Sequence, residues 1–460
     1  MAAFAVTFAT LLSSHGRFLE SHLEETDRPH THRLANMVAL LHLGVIFPEL
    51  PGARGYRDLA ARGIKEAMEK QVLDDGFTFE GSTAYHRLAT ELFTLALFVA
   101  HAGRVKLGDE YTRKLHDMFR AVRTYLTPAG TAPQIGDSDS GRAICLADRA
   151  PLEQGWLLPL GAALYRDSDL KLEGRDYCDE ALFLMGPAGL DRFEQLPESF
   201  APRSGALARA GLYFLRSRSA YCAISCGPNG QDGVGGHSHN DKLAVEIHSG
   251  GHPIIVDTGT FSFANDPIQR NAFRATSAHS TVQVDLVEQN RLPETRLFTL
   301  PDDARARALS FESTPARERF AGEHVGYERL LTPVRHRRDV SFERNSRAFV
   351  IKDRLTGLAA HHVHSRFQLP DRDARVRAPT GEERLRLGGL PNAHELDLSR
   401  VVELGPVGAP RALLAISAGN VRLAPSWYSP GYGARRESLC VELELRDQLP
   451  LEISAAVLLF

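Results

Sequence analysis

Between Gly235 and Asp285 the chain reads GGHSHNDKLAVEIHSGGHPIIVDTGTFSFANDPIQRNAFRATSAHSTVQVD. His237 and His239 stand two residues apart, Asp257 closes an apolar run, and His279 precedes an alternating one. On extended backbone, residues i and i+2 face the same side, so both histidines of the pair can address one site. Leu243 to His248 and Pro253 to Val256 have the apolar and β-branched content of neighbouring strands, which would gather these polar groups near the strand ends. Two imidazoles and a carboxylate suit zinc, which takes nitrogen and oxygen donors tetrahedrally. One histidine of the pair would then be a ligand and the other free for chemistry. In a chain with 19 histidines, a single one near a carboxylate is ordinarily a surface or hydrogen-bonded core residue, so spacing alone does not decide.

A second group lies in DDGFTFEGSTAYHRLATELF, Asp74 to Phe93. Here Glu80, Tyr85 and His86 sit at a loop-to-helix junction, with Ser82 as the expected N-cap. Tyrosine and histidine transfer protons once a pocket tunes their pKa. The other reading has Tyr85 packed on Phe77 and Phe79 and bonded through its hydroxyl. In PQIGDSDSGR, Pro133 to Arg142, Asp137 and Asp139 either bond the site or make Asx turns. Arg270, Asn271 and Arg274 flank His279; they either recognise a carboxylate, for which arginine is suited, or hold their loop. Trp427, Tyr428 and Tyr432, within Pro425 to Ser438, are either a sugar platform or a packed turn.

The strings GGHSHNDKL, VDTGTFSF and RNAFRATSAHSTV resemble, in order, the signature of the heparinase II/III-like polysaccharide lyases. DGFTFEGSTAYH is similar to the segment that carries the catalytic tyrosine of that family. The resemblance implies an α/α-toroid-like domain followed by a large antiparallel β-sandwich. It implies β-elimination of a uronic-acid-containing glycan, with Tyr85 and His237 sharing the base and acid roles. It also implies a mainly structural zinc held by His239, Asp257 and His279, ordering the loop that carries His237. Glu80, His86, Arg270, Asn271 and Arg274 are then the expected substrate-binding residues. At the head of PHTHRLANMVALLHLGVIFPEL, Pro29 to Leu50, the family places an asparagine-histidine pair against the substrate carboxylate. The matching positions here are Thr31 and His32, so His32 is the expected neutralising group. Phe261 and Phe263 stand where many members have tyrosines, and phenylalanine transfers no proton. The resemblance takes in nearly the whole chain but only the later helices of a toroid, so an incomplete ring is expected.

Length and composition agree with this. At 460 residues the chain exceeds one usual core, and two domains are expected. Hydrophobic residues at 43% and charged ones at 24% are ordinary for a globular protein. A net charge of −3 draws it toward neither nucleic acid nor anionic membrane, so attraction for a polyanionic glycan must be local. The arginine-rich VRHRRDVSFER alternates and reads as a strand with one solvated face rather than a nucleic-acid patch. The five cysteines suggest no disulfide scaffold; Cys222 and Cys226 flank a half-buried strand. No run approaches the roughly 18 to 20 apolar residues of a membrane helix. The start lacks the marks of a signal peptide, so the expected location is cytoplasmic, or periplasmic if further residues precede it. Its spacing reads as a helix running on through Phe18, Leu19 and Leu23.

Helical periodicity continues over Arg33 to Phe47, Tyr56 to Leu73, Ser82 to Ala102 and Tyr111 to Leu126, with glycine and proline between. Beyond about residue 205 the period becomes two, with strands expected at Gly211 to Arg216, Tyr221 to Ser225, Leu243 to His248, Thr281 to Val284, Arg347 to Lys352 and Val441 to Leu445. The fold class is therefore α+β and multidomain: a helical domain over 1–198, a linker at Ser199 to Ser204, and a sandwich over 205–460. An acidic polysaccharide is the expected partner; oligomeric state is open. Two other functions fit parts of the sequence. A glycan-binding or capsule-assembly protein would keep the scaffold without turnover. A hydrolase would pair Glu80 with Asp137 or Asp139.

Overall fold

The computed structural model describes residues 2–26, 28–200, 203–314 and 317–460; Pro202 of the expected linker lies outside them. Seven helices come first: α1 (Ala2–Ser21), α2 (Thr31–Ile46), α3 (Ala53–Gln71), α4 (Thr83–Ala102), α5 (Asp109–Tyr125), α6 (Leu157–Tyr165) and α7 (Asp179–Glu194). In α2, Leu34, Met37, Val38 and Leu41 are buried at helical spacing, the stripe that packs an amphipathic helix on its neighbours. It stops ahead of Phe47-Pro48, as the residue before a proline leaves the helical region. The first helix ends at Ser21 rather than running on to Leu23, and the Ser21 hydroxyl turns back to the Arg17 carbonyl (2.7 Å). Inside α7, Gly186 at φ +62 and Pro187 break the helix into two pieces.

Strands follow: β1 (Gly205–Leu207), β2 (Leu212–Arg216), β3 (Ala220–Ser225), β4 (Val245–Ser249), β5 (His252–Ile255), then α8 (Pro267–Arg274) and β6 (Val282–Val284). After them come β7 (Arg307–Ser313), β8 (Glu318–His324), β9 (Arg335–Glu343), β10 (Ala348–Thr356), β11 (Ala360–Gln368), β12 (Ala374–Arg377), α9 (Gly381–Gly388), β13 (Val401–Leu404), β14 (Ala412–Ile416), β15 (Asn420–Gly431), β16 (Ala434–Gln448) and β17 (Leu451–Leu459). They pair antiparallel into three sheets. β1 to β5 lie in sequence order; an eight-stranded sheet runs β12-β13-β14-β17-β10-β9-β8-β7; a third runs β15-β16-β11-β6. Helices α8, which ends within RNAFRATSAH, and α9 were not anticipated from the sequence, which beyond residue 205 led to strands alone.

The first sheet divides the molecule. Side chains alternate across a strand, and here both faces meet apolar partners. Leu212, Phe214, Tyr221 and Ala223 join the helical core, while Tyr213, Leu215, Cys222 and Ile224 join the sandwich core. This explains why β2 and β3 are buried at every position and why Cys222 is a core residue. No helix among the described residues is long and apolar enough to cross a membrane.

Behind the histidine loop the sandwich is pinned by one ion pair. The buried Arg338 guanidinium meets both oxygens of Asp353 (2.7 and 2.8 Å) and donates to the carbonyls of Leu243 and Ser280 (2.8 Å each). Burial alone would raise the Asp353 pKa, but Arg338 and a hydrogen bond from His336 hold it well below the ordinary value. A carboxyl that binds protons more weakly when folded stabilises the fold above its unfolded pKa of about 3.9 and loses that contribution as pH falls. Arg338→Met strands the carboxylate, and we expect a loss of about 3–5 kcal/mol in urea unfolding at pH 7. On the acid side the slope should reverse, because protonation then relieves an unpaired buried charge. An unchanged pH profile in the variant would sink this account.

Candidate functional site

Three chain segments meet at the start of α4. Ser82 caps the helix: its Oγ accepts the Tyr85 N–H (3.2 Å) and donates to the Asp137 carbonyl (2.6 Å). The Asp137 N–H in turn donates to the His237 carbonyl (2.9 Å). Gly136 must be glycine there, being at φ +68 with a Cβ that would fall 2.6 Å from the His237 oxygen.

One turn into α4, the Tyr85 ring lies on the His237 imidazole, centroids 3.7 Å apart and planes 21° apart. The phenol donates to Asp139 Oδ2 (3.1 Å), while Asp139 Oδ1 accepts the Gly141 N–H (2.8 Å). Asp139 thus makes its Asx turn and bonds the site at once. Burial, and then the charges of Asp139 and Asp137, push the Tyr85 pKa far above its ordinary value. The pair forms one wall of a cleft of about 660 Å³. His30, His32, Arg28, Phe263 and Phe298 line it as well.

Behind the wall is Asp137, fully buried. Arg270 donates to both its oxygens (2.7 Å each). His239 Nε2 lies 3.0 Å from Oδ1 and His237 Nδ1 3.1 Å from Oδ2. Burial would raise this carboxyl's pKa; the Arg270 charge and the bonds from His237, His239 and Arg270 overcome that and hold it well below the ordinary range. An ionised carboxylate only accepts, so both histidines present N–H to it. That leaves His239 Nδ1 and His237 Nε2 as the free nitrogens, and Glu80 Oε2 stands 3.4 Å from the latter.

The metal question turns on two atoms. His239 Nδ1 and His279 Nε2 are buried without a hydrogen-bond partner, a costly state for polar groups. His239, Asp257 and His279 bring ligand atoms within 4.8 Å of one another; Asp257 Oδ2 lies 2.5 Å from His279 Nδ1. A cation would satisfy the orphaned nitrogens, and Asp137 behind His239 is the carboxylate that metal-bound imidazoles ordinarily have. These residues therefore form a site that fits a metal ion. Glu24, His30 and His32 also cluster, but Glu24 and His32 are exposed and already paired (2.7 Å).

Of the remaining expected residues, all but His32 lie apart from the cleft. His86 is buried, stacked on Phe77 (4.7 Å), taking the Thr78 N–H on Nδ1 with Nε2 at the Met118 carbonyl; burial lowers its pKa to about 4. Arg274 bonds Asn271 Oδ1 (2.9 Å), and the Asn271 amide bonds the Pro293 carbonyl (3.2 Å), so both hold the loop. Arg270 serves Asp137, under the rings of Phe298 (4.5 Å) and Phe263 (4.8 Å). Glu80 is buried, accepting from the Thr31 N–H (3.0 Å) and hydroxyl, which puts Thr31 out of reach of the cleft. His32 lines the cleft but turns to Glu24. His30, which sequence reasoning passed over, lines it too, with Nδ1 buried and unpartnered; burial, ahead of the opposing Glu80 charge, lowers its pKa. The H-T-H spacing, the same as in His237 and His239, was the available signal.

The chain matches the models of the heparinase II/III N-terminus over residues 1–150 and of the heparinase II/III-like C-terminal region over 201–454. It is 24% identical over 383 residues to a heparin-sulfate lyase of Pedobacter heparinus, covering 80% of this chain and 50% of that one. A heparin-sulfate lyase of Bacteroides stercoris is 23% identical over 348 residues, covering 74% and 46%. The chain thus spans about half the length of these relatives. The crystal structure of a heparan sulfate lyase from Pedobacter heparinus superposes with a TM-score of 0.67 at 19% identity, over 99% of this chain and 63% of that one. Both regional models cover their parts in order, the C-terminal one more than half of the chain, and the architecture is shared: the chain belongs to the heparinase II/III-like family.

Proposed function

We propose that this chain is a polysaccharide lyase that breaks a uronic-acid-containing glycan by β-elimination, leaving a 4,5-unsaturated sugar at the new non-reducing end. The observation that carries the reading is the Tyr85–His237 stack in the cleft wall (3.7 Å), two proton-transfer groups side by side with their roles separated by environment. Relatives named as heparin-sulfate lyases support the same class.

In the proposed reaction the C5–H bond breaks, its electron pair forms the C4=C5 bond, and the C4–O4 bond breaks as O4 takes a proton. His237 is the better base: Asp137 holds its Nδ1–H and so fixes its tautomer, as the carboxylate of a catalytic triad does, leaving Nε2 to accept the C5 proton. Tyr85 is the better acid. Its phenol keeps its proton among carboxylates, and O4 develops the charge that would take it. The enolate needs donors at the substrate carboxylate. His30, which lines the cleft, is placed for that task; its lowered pKa keeps it neutral near pH 7, with an N–H to offer. Phe263 contributes no proton; it shields the Arg270–Asp137 pair from water. Glu80 and Asp137 are fully buried, Glu80 Oε1 bonded to Thr31 and Asp137 held by Arg270, which disfavours a hydrolase built on them.

For the metal we propose zinc, from two nitrogen donors and one carboxylate. Bound, it supplies charge that fixes the loop shared with His237.

On a panel of uronate polysaccharides the protein should raise ultraviolet absorbance as unsaturated ends accumulate. Tyr85→Phe and His237→Ala should each lose at least about a hundredfold in rate. A folded protein that binds such a glycan yet yields no unsaturated product would instead be a glycan-binding member of the family. Metal analysis should find a zinc ion bound per chain, retained in His237→Ala but lost in His279→Ala with a lower melting temperature. Equal zinc content in both variants would refute the ligand assignment.

A further inference from the structure

The face of the β15–β16 hairpin beside the cleft has no role in the reaction above. Along β15 the alternation sends Trp427 outward, 41% exposed, and Tyr428 inward, 7% exposed, so Tyr428 is the packing member of the group. At the hairpin tip Tyr432 is 38% exposed. Its ring meets Phe263 edge-on (5.1 Å), and Phe263 meets Phe298 (5.4 Å) in the cleft wall. The tip is fixed to the site from both sides. The Tyr432 N–H donates to Ser140 Oγ (3.0 Å), next to Asp139, and the Gly433 N–H donates to the Phe261 carbonyl (2.8 Å). Beyond it the exposed Arg435 guanidinium lies over the rings of Trp427 (4.3 Å) and Phe261 (4.6 Å). Arg435 bonds the neutral amide of Gln269, while Glu437, opposite Trp427 across the hairpin, is engaged by Arg372 (2.7 Å). A cation on an aromatic bed, facing solvent, thus stands beside a hairpin tip whose own ring, Tyr432, meets the cleft wall.

We propose that Tyr432, Arg435 and Trp427 form a further subsite that binds acidic sugar units flanking the one in the cleft; this rests on reading the cleft as a glycan site. Aromatic faces take the apolar faces of sugar rings, and Arg435 takes a carboxylate or sulfate bidentately. The strand from Trp427 to Gly431 spans roughly 13 Å, so Trp427 stands about one sugar unit or more beyond the hairpin tip, where Tyr432 meets the cleft wall. Exposed aromatic residues set beside an unneutralised arginine are not what a hairpin needs for its own packing.

Direct binding tests this independently of turnover. In a Tyr85→Phe background, affinity electrophoresis through heparan sulfate, alginate and hyaluronan should show retention by at least one polymer and none by neutral dextran. Adding Trp427→Ala or Arg435→Gln should weaken that retention on the order of tenfold. Trp427→Phe should keep most of it, and the Arg435→Gln variant should be less salt-sensitive. In the active protein the same changes should raise KM for polymer and leave kcat within about twofold. Equal retention of the parent and the Trp427→Ala/Arg435→Gln double variant would overturn the subsite, as would a parent retained by none of the three polymers. Retention that falls as expected in a protein that forms no unsaturated product would uphold the subsite and reject elimination.

Discussion

The Asp137 carboxylate is the interaction on which the rest depends. Each of its oxygens has one Arg270 nitrogen and one imidazole nitrogen against it, and its partners come from 100 to 133 residues further along the chain. Because it is ionised and only accepts, it sets the tautomers of two rings at once. One outcome is an imidazole lone pair turned toward the metal position; the other is a lone pair turned toward Glu80. Removing either charge of a buried pair leaves the other uncompensated, so Arg270 and Asp137 stand together, and the rings of Phe263 and Phe298 keep water from weakening them.

That arrangement needs two domains held at fixed separation. The five-stranded sheet does this by burying both faces, one in the helical core and one in the sandwich. The loops that leave its edge, around Gly235 and Asp257, are then positioned against the start of α4. Arg338 secures the same loops from below through the carbonyls of Leu243 and Ser280.

Much of this was legible in the chain itself. Period-two and helical spacing separated a helical half from a sheet half, and the i, i+2 spacing of His237 and His239 led to both facing one site, though not to the carboxylate they share. The partner was harder to see. GDSDSG reads as a turn, and nothing local distinguishes a carboxylate that turns a loop from one that also anchors a site 100 residues on. Arg270 and Arg274 read alike in sequence. Four residues apart on α8, they diverge because only Arg270 meets Asp137, while Arg274 folds onto Asn271. His30 and His32 differ by two residues at a helix start, where extended backbone gives way to helix. That change of period sends His32 toward Glu24 and leaves His30 beside His237, and no spacing rule written for a single period would separate them.

The placement of charge resolves an apparent contradiction. A pocket built on Glu80, Asp137 and Asp139 is a poor host for a polyanion, yet none of the three presents a free carboxylate to a substrate. Asp137 is cancelled by Arg270, Glu80 accepts from Thr31, and Asp139 is occupied by Tyr85 and Gly141. Of the three only Asp139 lines the cleft, and it does so beside a phenol, imidazoles and Arg28. The acids act at second hand: their field keeps the Tyr85 proton in place until a leaving oxygen competes for it, and Asp137 holds the His237 Nδ1–H so that Nε2 is the nitrogen left to accept. In the proposed elimination this makes the two stacked rings unequal, one ready to give and one ready to receive.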